Sequence, residues 1–445
     1  EKLSEFLSLC DKRSVQSCVL GEFTESGYLD VYYKQERVAY LNLDFLHESL
    51  IPMNLKAKWS GPQLRSFWHG EKNRSTLSLT SNFLQESLFT ILSRPNIKSK
   101  EKWVRQYDHE VQAASIVKPF MGKNKKSPTD AGVIWMAPHG GEEKRGLAVS
   151  CGMWPQISHY DTYLMTLYSI DEAVRNFVAV GGDVNKAALL DNFCWPDPVV
   201  SKNNPDGPHK LAQLVRSCEA IYDAAMEYAM PFVSGKDSMK NDFHGQGENG
   251  EKVKISVQPT LLISAIADIE DCEKITTSDF KNSGDIIFSV GRCDYSKLNT
   301  SELTRAFSSE STVPEKVNLK ENFELYRVIN SLQREDLLES VHDVSDGGII
   351  VSLVECLFGN KLGAKIVLNV NYEPFSYFYN ESTGRFIVSV KAENKTKVEK
   401  ALSSFQLDEL GIVTNSEFLE VDIMQARLKW KMSALLNAWE GNREN

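Results

Sequence analysis

Apolar residues recur at helical spacing in several segments of the chain. In residues 1–10, the apolar positions Leu3, Phe6, Leu7 and Leu9 predict an amphipathic helix. Longer segments with the same period predict helices at 81–92, 169–180 and 209–230. Gly181-Gly182 follows the second of these directly and is typical of a helix C-terminus.

Strand patterns lie between these helices. Residues 19–46 alternate apolar and turn-forming stretches, which predicts a β-meander closing a small α+β unit. Further strands are predicted at AALLDN (187–192), VQPTLLISAIA (257–267) and DIIFSVG (285–291). A mixed α/β protein is the fold class that this order favours.

The stretch VSGKDSMKND, residues 233–242, has two interpretations. Glycine, aspartate and serine form turns on their own, so a surface turn after a short strand is one of them. The other is a functional loop, in which both charges and the hydroxyl serve a ligand. The pattern alone leaves both open.

The length of 445 residues exceeds a single core, so we expect several domains. The first residue is Glu1 rather than Met, and we expect the chain to begin in mid-domain. The patterns predict a remnant of a preceding α/β domain (1–58), a connector (59–100) and two further units (101–268 and 269–445).

Composition narrows the function classes. A net charge of −10 argues against a general nucleic-acid binder, and no run of apolar residues is long enough to span a membrane. The eight cysteines are scattered without a C-x-x-C pair, which indicates reduced thiols in a cytosolic protein. We therefore expect a cytoplasmic protein without nucleic-acid or membrane partners.

Candidate metal ligands occur in two segments. Asp130 in SPTDA precedes an apolar strand, and Glu172 and Asn176 share one face of the helix predicted at 169–180. Carboxylate and amide oxygens suit Mg²⁺. The alternatives are a turn carboxylate at Asp130 and a solvated helix face that includes an Asp171–Arg175 pair.

HDVSDGG, residues 342–348, places carboxylates and a serine before two glycines and an apolar helix. Such a junction can offer backbone N–H groups to a phosphate. Ser345 or Asp346 as a helix N-cap is the competing interpretation. YNESTGRF, residues 379–386, is predicted as a loop between two strands. Neither G-x-x-x-x-G-K-[ST] nor G-x-G-x-x-G occurs, so a bound nucleotide would require another architecture.

Seven motifs then give the sequence a family resemblance. In chain order they are YDHEV (107–111), SPTDA (127–131), DEAVRN (171–176), LLDN (189–192), SGKDSM (234–239), HDVSDGG (342–348) and NESTGRF (380–386). Their order and spacing resemble the second half of the synthetase portion of phosphoribosylformylglycinamidine synthase, also called formylglycinamide ribonucleotide amidotransferase.

The resemblance implies an aminoimidazole ribonucleotide synthetase-like (PurM-like) fold, with a barrel-forming domain followed by an α/β sandwich domain. It implies a carbon–nitrogen ligase of purine biosynthesis that uses ATP and Mg²⁺ to convert formylglycinamide ribonucleotide to formylglycinamidine ribonucleotide. The implied partners are an N-terminal synthetase half carrying the catalytic histidine, a glutaminase subunit or domain, and a small bridging subunit.

The resemblance also implies roles for individual residues. Asp191, Gly235 and Lys236 match an active-site ATP-binding set, and Ser238 matches a substrate-binding serine. Short-form members have an Mg²⁺-binding Asn where this chain has Lys236, and a lysine there suits phosphate instead. A second, auxiliary nucleotide site is implied by the matches at Asp130, Glu172, Asn176 and Asp343 as metal ligands and at Ser345 as an ATP-binding residue. Thr129 is a further ATP-binding residue that the resemblance implies.

Other interpretations stay open. A related superfamily kinase or synthetase, such as selenophosphate synthetase or thiamine-monophosphate kinase, would share the fold. The chain could also be a non-catalytic, nucleotide-binding half of the enzyme. The sequence does not decide whether the glutaminase is a separate subunit or a removed C-terminal domain.

Overall fold

The structure is a computed structural model that describes residues 2–48, 53–62, 81–296, 298, 300–307, 313–368, 374–423 and 426–441. The chain forms two compact units, Glu1–Leu55 and Lys56–Asn445. Each is described by itself. In the described ranges, no helix is both long enough and apolar enough to cross a lipid bilayer.

The first unit is small and largely exposed. It contains helix α1 (Leu3–Lys12), strands β1 (Tyr28–Tyr33) and β2 (Glu36–Asn42), and helix α2 (Leu43–Glu48). β1 and β2 form an antiparallel hairpin. The predicted N-terminal helix is confirmed from Leu3 onward, whereas residues 19–23 form no strand and 43–48 are helical rather than extended. No residue of α1 is buried.

The second unit carries the remaining helices and strands. Its helices are α3 (Ser81–Leu92), α4 (Glu101–Val104), α5 (Thr162–Ala179), α6 (Gly207–Tyr228), α7 (Glu302–Phe307), α8 (Leu319–Arg334), α9 (Gly348–Leu357), α10 (Pro374–Tyr379), α11 (Lys395–Ala401) and α12 (Met432–Glu440). Among the described residues, short 3₁₀ segments occur at Val111–Ala113, Ala137–His139, Pro155–Ile157, Cys272–Lys274 and Ala392–Asn394.

Its strands form two large sheets and two small hairpins. They are β3 (Ser115–Val117), β4 (Phe120–Met121), β5 (Ser127–Pro128), β6 (Gly132–Trp135), β7 (Gly146–Gly152), β8 (Ala187–Cys194), β9 (Phe232–Ser238), β10 (Asp242–Gln246), β11 (Lys252–Ser256), β12 (Thr260–Ile269), β13 (Ile286–Val290), β14 (Ser340–Asp343), β15 (Gly363–Leu368), β16 (Phe386–Val390), β17 (Leu407–Thr414), β18 (Phe418–Ile423) and β19 (Ala426–Lys431).

The first large sheet has the strand order β3-β6-β7-β12-β8-β9. Only its edge pair β8/β9 is parallel; the other neighbours are antiparallel. Along β12, buried and half-buried residues alternate strictly, so one face of the sheet carries the core. Helix α5 packs against β7 and β12 on that core, and α6 packs against α5.

The second large sheet has the order β14-β16-β13-β17-β15-β18-β19. Every residue of its inner strands β13 and β16 is buried, which requires cover on both faces. Helix α5 also contacts β14 at the edge of this sheet, so α5 lies between the two sheets. This position brings its polar side chains to the functional site.

Two predictions of secondary structure need correction. Helix α5 begins at Thr162, not at residue 169, because Asp161 caps it by accepting a hydrogen bond from the Tyr163 N–H at 2.9 Å. Buried hydroxyl residues in its first turns hide the apolar period; Thr166, for instance, hydrogen-bonds Ser217 at 2.5 Å.

The stretch at 233–242 is the second correction. Its first residues form strand β9 through Ser238, in parallel register with β8, so the surface-turn interpretation is wrong for them. The residues that follow form the antiparallel β10/β11 hairpin. YNESTGRF lies between helix α10 and strand β16 rather than between two strands.

Candidate functional site

Asp130 and Asp343 come together where the loop before β6 meets the end of β14. The backbone N–H of Asp343 donates to Asp130 Oδ1 at 3.1 Å. His342 Nδ1 lies 2.8 Å from the same oxygen. Carboxylate and imidazole atoms of these three residues lie within 4.8 Å of one another.

A buried arginine neutralises part of this negative charge. Arg175 on α5 is 1% exposed and donates to Asp343 Oδ2 at 3.1 Å and to Asp171 Oδ2. The interpretation of Asp171–Arg175 as part of a solvated helix face is therefore wrong. The pair is buried because α5 is covered on this side by the second sheet.

Asp171 is the centre of a hydrogen-bond network between several elements. Its Oδ1 accepts from Tyr228 Oη at 2.8 Å, Asn322 Nδ2 at 2.7 Å and Tyr326 Oη at 2.7 Å, while its Oδ2 accepts from the Gly384 N–H at 3.0 Å. These partners lie on α6, on α8 and in the NESTGRF segment. One carboxylate thus joins the segments that surround the site.

Glu172 and Asn176 are half-buried residues of the same helix. Glu172 Oε1 accepts from Ser345 Oγ at 2.6 Å, and its Oε2 accepts from the Met153 N–H at 2.7 Å. Asn176 donates through Nδ2 to the Cys151 carbonyl at 2.9 Å. Glu172 is therefore linked to HDVSDGG through Ser345, whereas Asn176 faces strand β7.

The start of α9 contradicts one of the two interpretations of HDVSDGG. Gly347 is the N-cap residue, with φ 87° and no side-chain cap, so the Ser345 or Asp346 N-cap interpretation is wrong. The Gly347 N–H donates to Glu381 Oε1 at 2.6 Å, and the Gly348 N–H to the Ser345 carbonyl at 3.0 Å. Those two N–H groups are already paired within the chain instead of being free for a phosphate.

Thr129 lies beside Asp130, and its hydroxyl hydrogen-bonds the chain between β3 and β4. Its Oγ1 donates to the Lys118 carbonyl at 2.7 Å. The hydroxyl therefore fixes the SPTDA segment to the chain between β3 and β4.

Burial and charge shift the pKa values in this cluster in opposite directions. Burial raises the pKa of Asp343 well above its usual range, although Arg175 opposes the shift. Burial also raises the pKa of Glu172. For Asp130, burial acts upward as well, but the adjacent imidazolium of His342 outweighs it and lowers the pKa. Of these three carboxyl groups, Asp130 is the one whose pKa is lowered.

The donor set fits a hard divalent cation. Asp130 Oδ2 and Asn176 Oδ1 are buried acceptor atoms without a hydrogen-bond partner among the residues that the structure describes. Unpaired buried acceptors are costly, and a cation that accepts oxygen ligands would satisfy them. A cation would also favour the ionised form of Asp343. Asp130 accepts directly from the Asp343 N–H, and Glu172 is joined to the HDVSDGG segment through Ser345.

The second predicted set lies on the β8/β9 edge of the first sheet. Asp191 pairs with Gly235 and Cys194 with Ser238 in the parallel register. Burial, followed by the negative charge of Asp237, raises the pKa of Asp191. A Cβ on Gly235 would lie 2.5 Å from Asp191 Oδ1, so this glycine leaves room for the carboxylate.

Lys236 and Ser238 flank this pair. The Lys236 side chain is exposed. Ser238 Oγ donates to Asn241 Oδ1 at 3.2 Å. Because side chains alternate along a strand, Asp191 shares a face of the sheet with Gly235, whereas Lys236 and Ser238 lie on the opposite face.

Sequence reasoning misses three residues of the first cluster: Arg175, His342 and Glu355. The helical period predicts that Arg175 is exposed to solvent. His342 is noted only as part of the HDVSDGG motif and receives no role of its own. Glu355 does leave a signal, since it is the single charged residue of the otherwise apolar helix α9. A charge in a buried helix requires a partner, and here His342 Nε2 lies 3.1 Å from Glu355 Oε2.

Comparison with known proteins agrees with the family resemblance. Residues 282–423 match the family described as "AIR synthase related protein, C-terminal domain". Over 440 residues the chain is 28% identical to the phosphoribosylformylglycinamidine synthase subunit PurL of Thermococcus sibiricus. The match covers 96% of this chain and 55% of that subunit, so the chain spans about half the length of this curated relative.

Solved structures show the same fold. Thermotoga maritima PurL complexed with FGAR has a TM-score of 0.56 at 14% identity, covering 80% of this chain and 53% of that one. The same protein complexed with ATP has a TM-score of 0.57 at 14% identity, with coverage of 80% and 53%. These findings confirm the mixed α/β, PurM-like fold and the resemblance to phosphoribosylformylglycinamidine synthase.

Proposed function

We propose that this chain is the second half of the synthetase portion of a phosphoribosylformylglycinamidine synthase. In that role it takes part in an ATP-dependent carbon–nitrogen ligation of purine biosynthesis, in the cytoplasm. The substrates are formylglycinamide ribonucleotide, ATP and glutamine-derived ammonia. The products are formylglycinamidine ribonucleotide, ADP and phosphate.

The observation that carries the proposal is the convergence of motifs far apart in the sequence. SPTDA, DEAVRN and HDVSDGG supply Asp130, Arg175 and Asp343, which are joined by direct contacts. The pair Asp130–Asp343 is separated by 213 residues. Three motifs that are far apart in the sequence thus meet in one cluster of buried charge. Among the described residues, this cluster contains acceptor atoms without a hydrogen-bond partner.

The proposed chemistry makes a poor leaving group into a good one. Transfer of the γ-phosphoryl group of ATP to the formamide oxygen gives an iminophosphate and ADP. Ammonia then attacks the formamide carbon, and the oxygen leaves as inorganic phosphate. Such transfers depend mainly on positioning and on neutralising the negative charge of the phosphates.

The β8/β9 edge would supply the active-site contacts of this half. Gly235 keeps the strand free of a side chain beside Asp191, and the exposed Lys236 would meet phosphate charge. The Ser238 hydroxyl would contact the formylglycinamide ribonucleotide. We assign the catalytic histidine, the glutaminase and a small bridging subunit to partner segments or chains.

The buried cluster would serve a separate, auxiliary nucleotide. Mg²⁺ bound there would neutralise phosphate charge. Asp130, Glu172, Asn176 and Asp343 would hold the metal, and Ser345 and Thr129 would lie beside the nucleotide. Because Arg175 and Asp171 tie this cluster into the core, occupancy would stabilise the fold. This burial favours a non-catalytic role for the second nucleotide.

The two sites predict different consequences of mutation. Asp343→Ala should lower thermal stability in Mg·ADP and the amount of nucleotide retained. A ligand at about a hundredfold excess over its Kd contributes about 2.7 kcal/mol, which this variant would lose. Gly235→Val should keep the unfolding midpoint, because the obstructing atom is the end of the Asp191 side chain, and should lose ATP binding at the β8/β9 edge.

The measurements are calorimetric binding of Mg·ATP and of formylglycinamide ribonucleotide, thermal unfolding, and product formation with ammonium chloride. Gly132→Val is the matched control, since a Cβ added at this strand glycine would have no atom of the described residues within 4 Å. We expect the isolated chain to bind nucleotide without turnover. Turnover by the pure chain, or phosphorylation of another acceptor without ammonia, would contradict the proposal.

A further inference from the structure

The His342 side chain lies between two carboxylates. It is 5% exposed on strand β14, with Nδ1 2.8 Å from Asp130 Oδ1 and Nε2 3.1 Å from Glu355 Oε2. Both ring nitrogens are therefore engaged by side chains of the same protein. A histidine in this arrangement has no nitrogen lone pair left to offer a metal ion.

The contact fixes the orientation of Asp130. Its Oδ1 accepts from His342 and from the Asp343 N–H, whereas its buried Oδ2 has no partner in the part of the chain that the structure describes. Two contacts on one oxygen set the rotation of the carboxyl group. The other oxygen is thereby presented as the available acceptor.

Helix α9 supports this arrangement through Glu355. Its carboxylate holds the far side of the imidazole, and its backbone carbonyl accepts from Ser127 Oγ at 2.6 Å. Ser127 lies three residues before Asp130 in SPTDA. The helix therefore holds the SPTDA segment directly at Ser127 and indirectly, through His342, at Asp130.

We infer that His342, supported by Glu355, is a positioning residue that orients Asp130 Oδ2 towards a divalent cation and is not itself a metal ligand. The inference rests on the auxiliary metal site proposed above. It adds to that site an outer layer of residues that the family motif matches do not assign. Partners in that layer typically contribute 10- to 100-fold to metal affinity.

The test exploits the different reach of two amide side chains. In His342→Asn, the amide nitrogen occupies about the position of Nδ1 and can still donate to Asp130. In His342→Gln, it occupies about the position of Nε2 and reaches Glu355 instead. Mn²⁺ alone is the probe, and its affinity for the full chain is measured at constant pH by electron paramagnetic resonance of the free ion.

We expect His342→Gln to weaken Mn²⁺ binding about 10- to 100-fold and His342→Asn to restore most of the affinity. Glu355→Gln should give a smaller loss. Unfolding of each variant in EDTA supplies the stability of the metal-free protein. A merely structural histidine would lower that stability in both variants without separating their Mn²⁺ affinities.

Asp130→Asn shows whether the metal site itself exists. If Mn²⁺ binds the wild-type chain no better than Asp130→Asn, the proposed site fails and the inference fails with it. If Asp130→Asn loses binding but His342→Gln binds like the wild type, the metal site stands and the positioning role is refuted. Equal losses in His342→Asn and His342→Gln also refute it.

Discussion

Replacement of Asp171 should destabilise the second unit more than that of any one of its hydrogen-bond partners. This carboxylate is 0% exposed and accepts hydrogen bonds from Arg175, Tyr228, Asn322, Tyr326 and the Gly384 N–H. Burial, with Asp171 as the next cause, raises the pKa of both tyrosines well above the usual value, so both hydroxyls remain donors.

The expected magnitude follows from what each variant leaves unpaired. Breaking a buried ion pair by removing one partner costs about 3–5 kcal/mol, and each neutral buried donor left without an acceptor adds about 1–3 kcal/mol. In Asp171→Ala, Arg175 keeps its contact with Asp343 and Asn322 keeps Thr383 Oγ1 at 3.4 Å, whereas the two tyrosine hydroxyls and the Gly384 N–H lose the carboxylate that accepts from them. This loss approaches the whole stability of a typical domain, about 5–15 kcal/mol.

Asp171→Asn is therefore the more informative variant. Its amide keeps one oxygen for the donors but removes the negative charge beside Arg175, and we expect a loss of about 2–4 kcal/mol. Urea unfolding followed by tryptophan fluorescence measures it, because Trp154 and Trp195 are buried in the same core cluster. Tyr228→Phe is the matched control, since it removes a single hydrogen bond and should cost about 1 kcal/mol.

Two results would refute this reasoning. One is an Asp171→Asn protein within about 1 kcal/mol of the wild type, which would mean that the buried charge contributes little net stability. The other is a Tyr228→Phe protein destabilised as much as Asp171→Asn. In that case packing of the ring, rather than the carboxylate, would hold α6 against α5.

Cysteine reactivity and pH dependence provide further predictions. Iodoacetamide should alkylate the exposed Cys18 in the native chain but spare Cys293 and Cys356 until urea is added. The reason is that burial raises the pKa of Cys293 to about 11 and that of Cys356 to about 12. Peptide mass mapping checks this, and labelling of Cys356 in the native protein would contradict it. Burial, only partly opposed by Arg305, raises the pKa of Asp346 to about 7. Since the unfolded carboxyl titrates near 3.9, the protein should lose stability as pH rises from about 4 to 7, and Asp346→Asn should abolish this part of the pH dependence. The side chain is 31% exposed, so the loss should stay within about 2 kcal/mol, and an unchanged urea midpoint between pH 5 and 8 would contradict the assignment.

Local periodicity predicts the long elements well. Helix α3 occupies the predicted residues, and α6 is displaced by two residues at each end, since both present a regular apolar face. The strand predicted at 187–192 is confirmed within β8. Strand β9 is not predicted beyond its first residues, because its exposed polar residues show no alternation of apolar and polar positions. They are extended because they pair with β8.

The sequence by itself determined the order of elements, the family resemblance and the carboxylates available to bind a cation, because local spacing and residue chemistry encode these features. Only the tertiary structure decided which charges meet. Arg175 looks solvent-exposed along its helix, yet the packing of α5 against β14 buries it between Asp171 and Asp343. Likewise, His342 meets Asp130 across 212 residues, and Glu355 completes the arrangement from another helix. Such contacts depend on how two sheets pack around one helix. A local sequence pattern extends over only a few residues and therefore does not predict which distant residues come into contact.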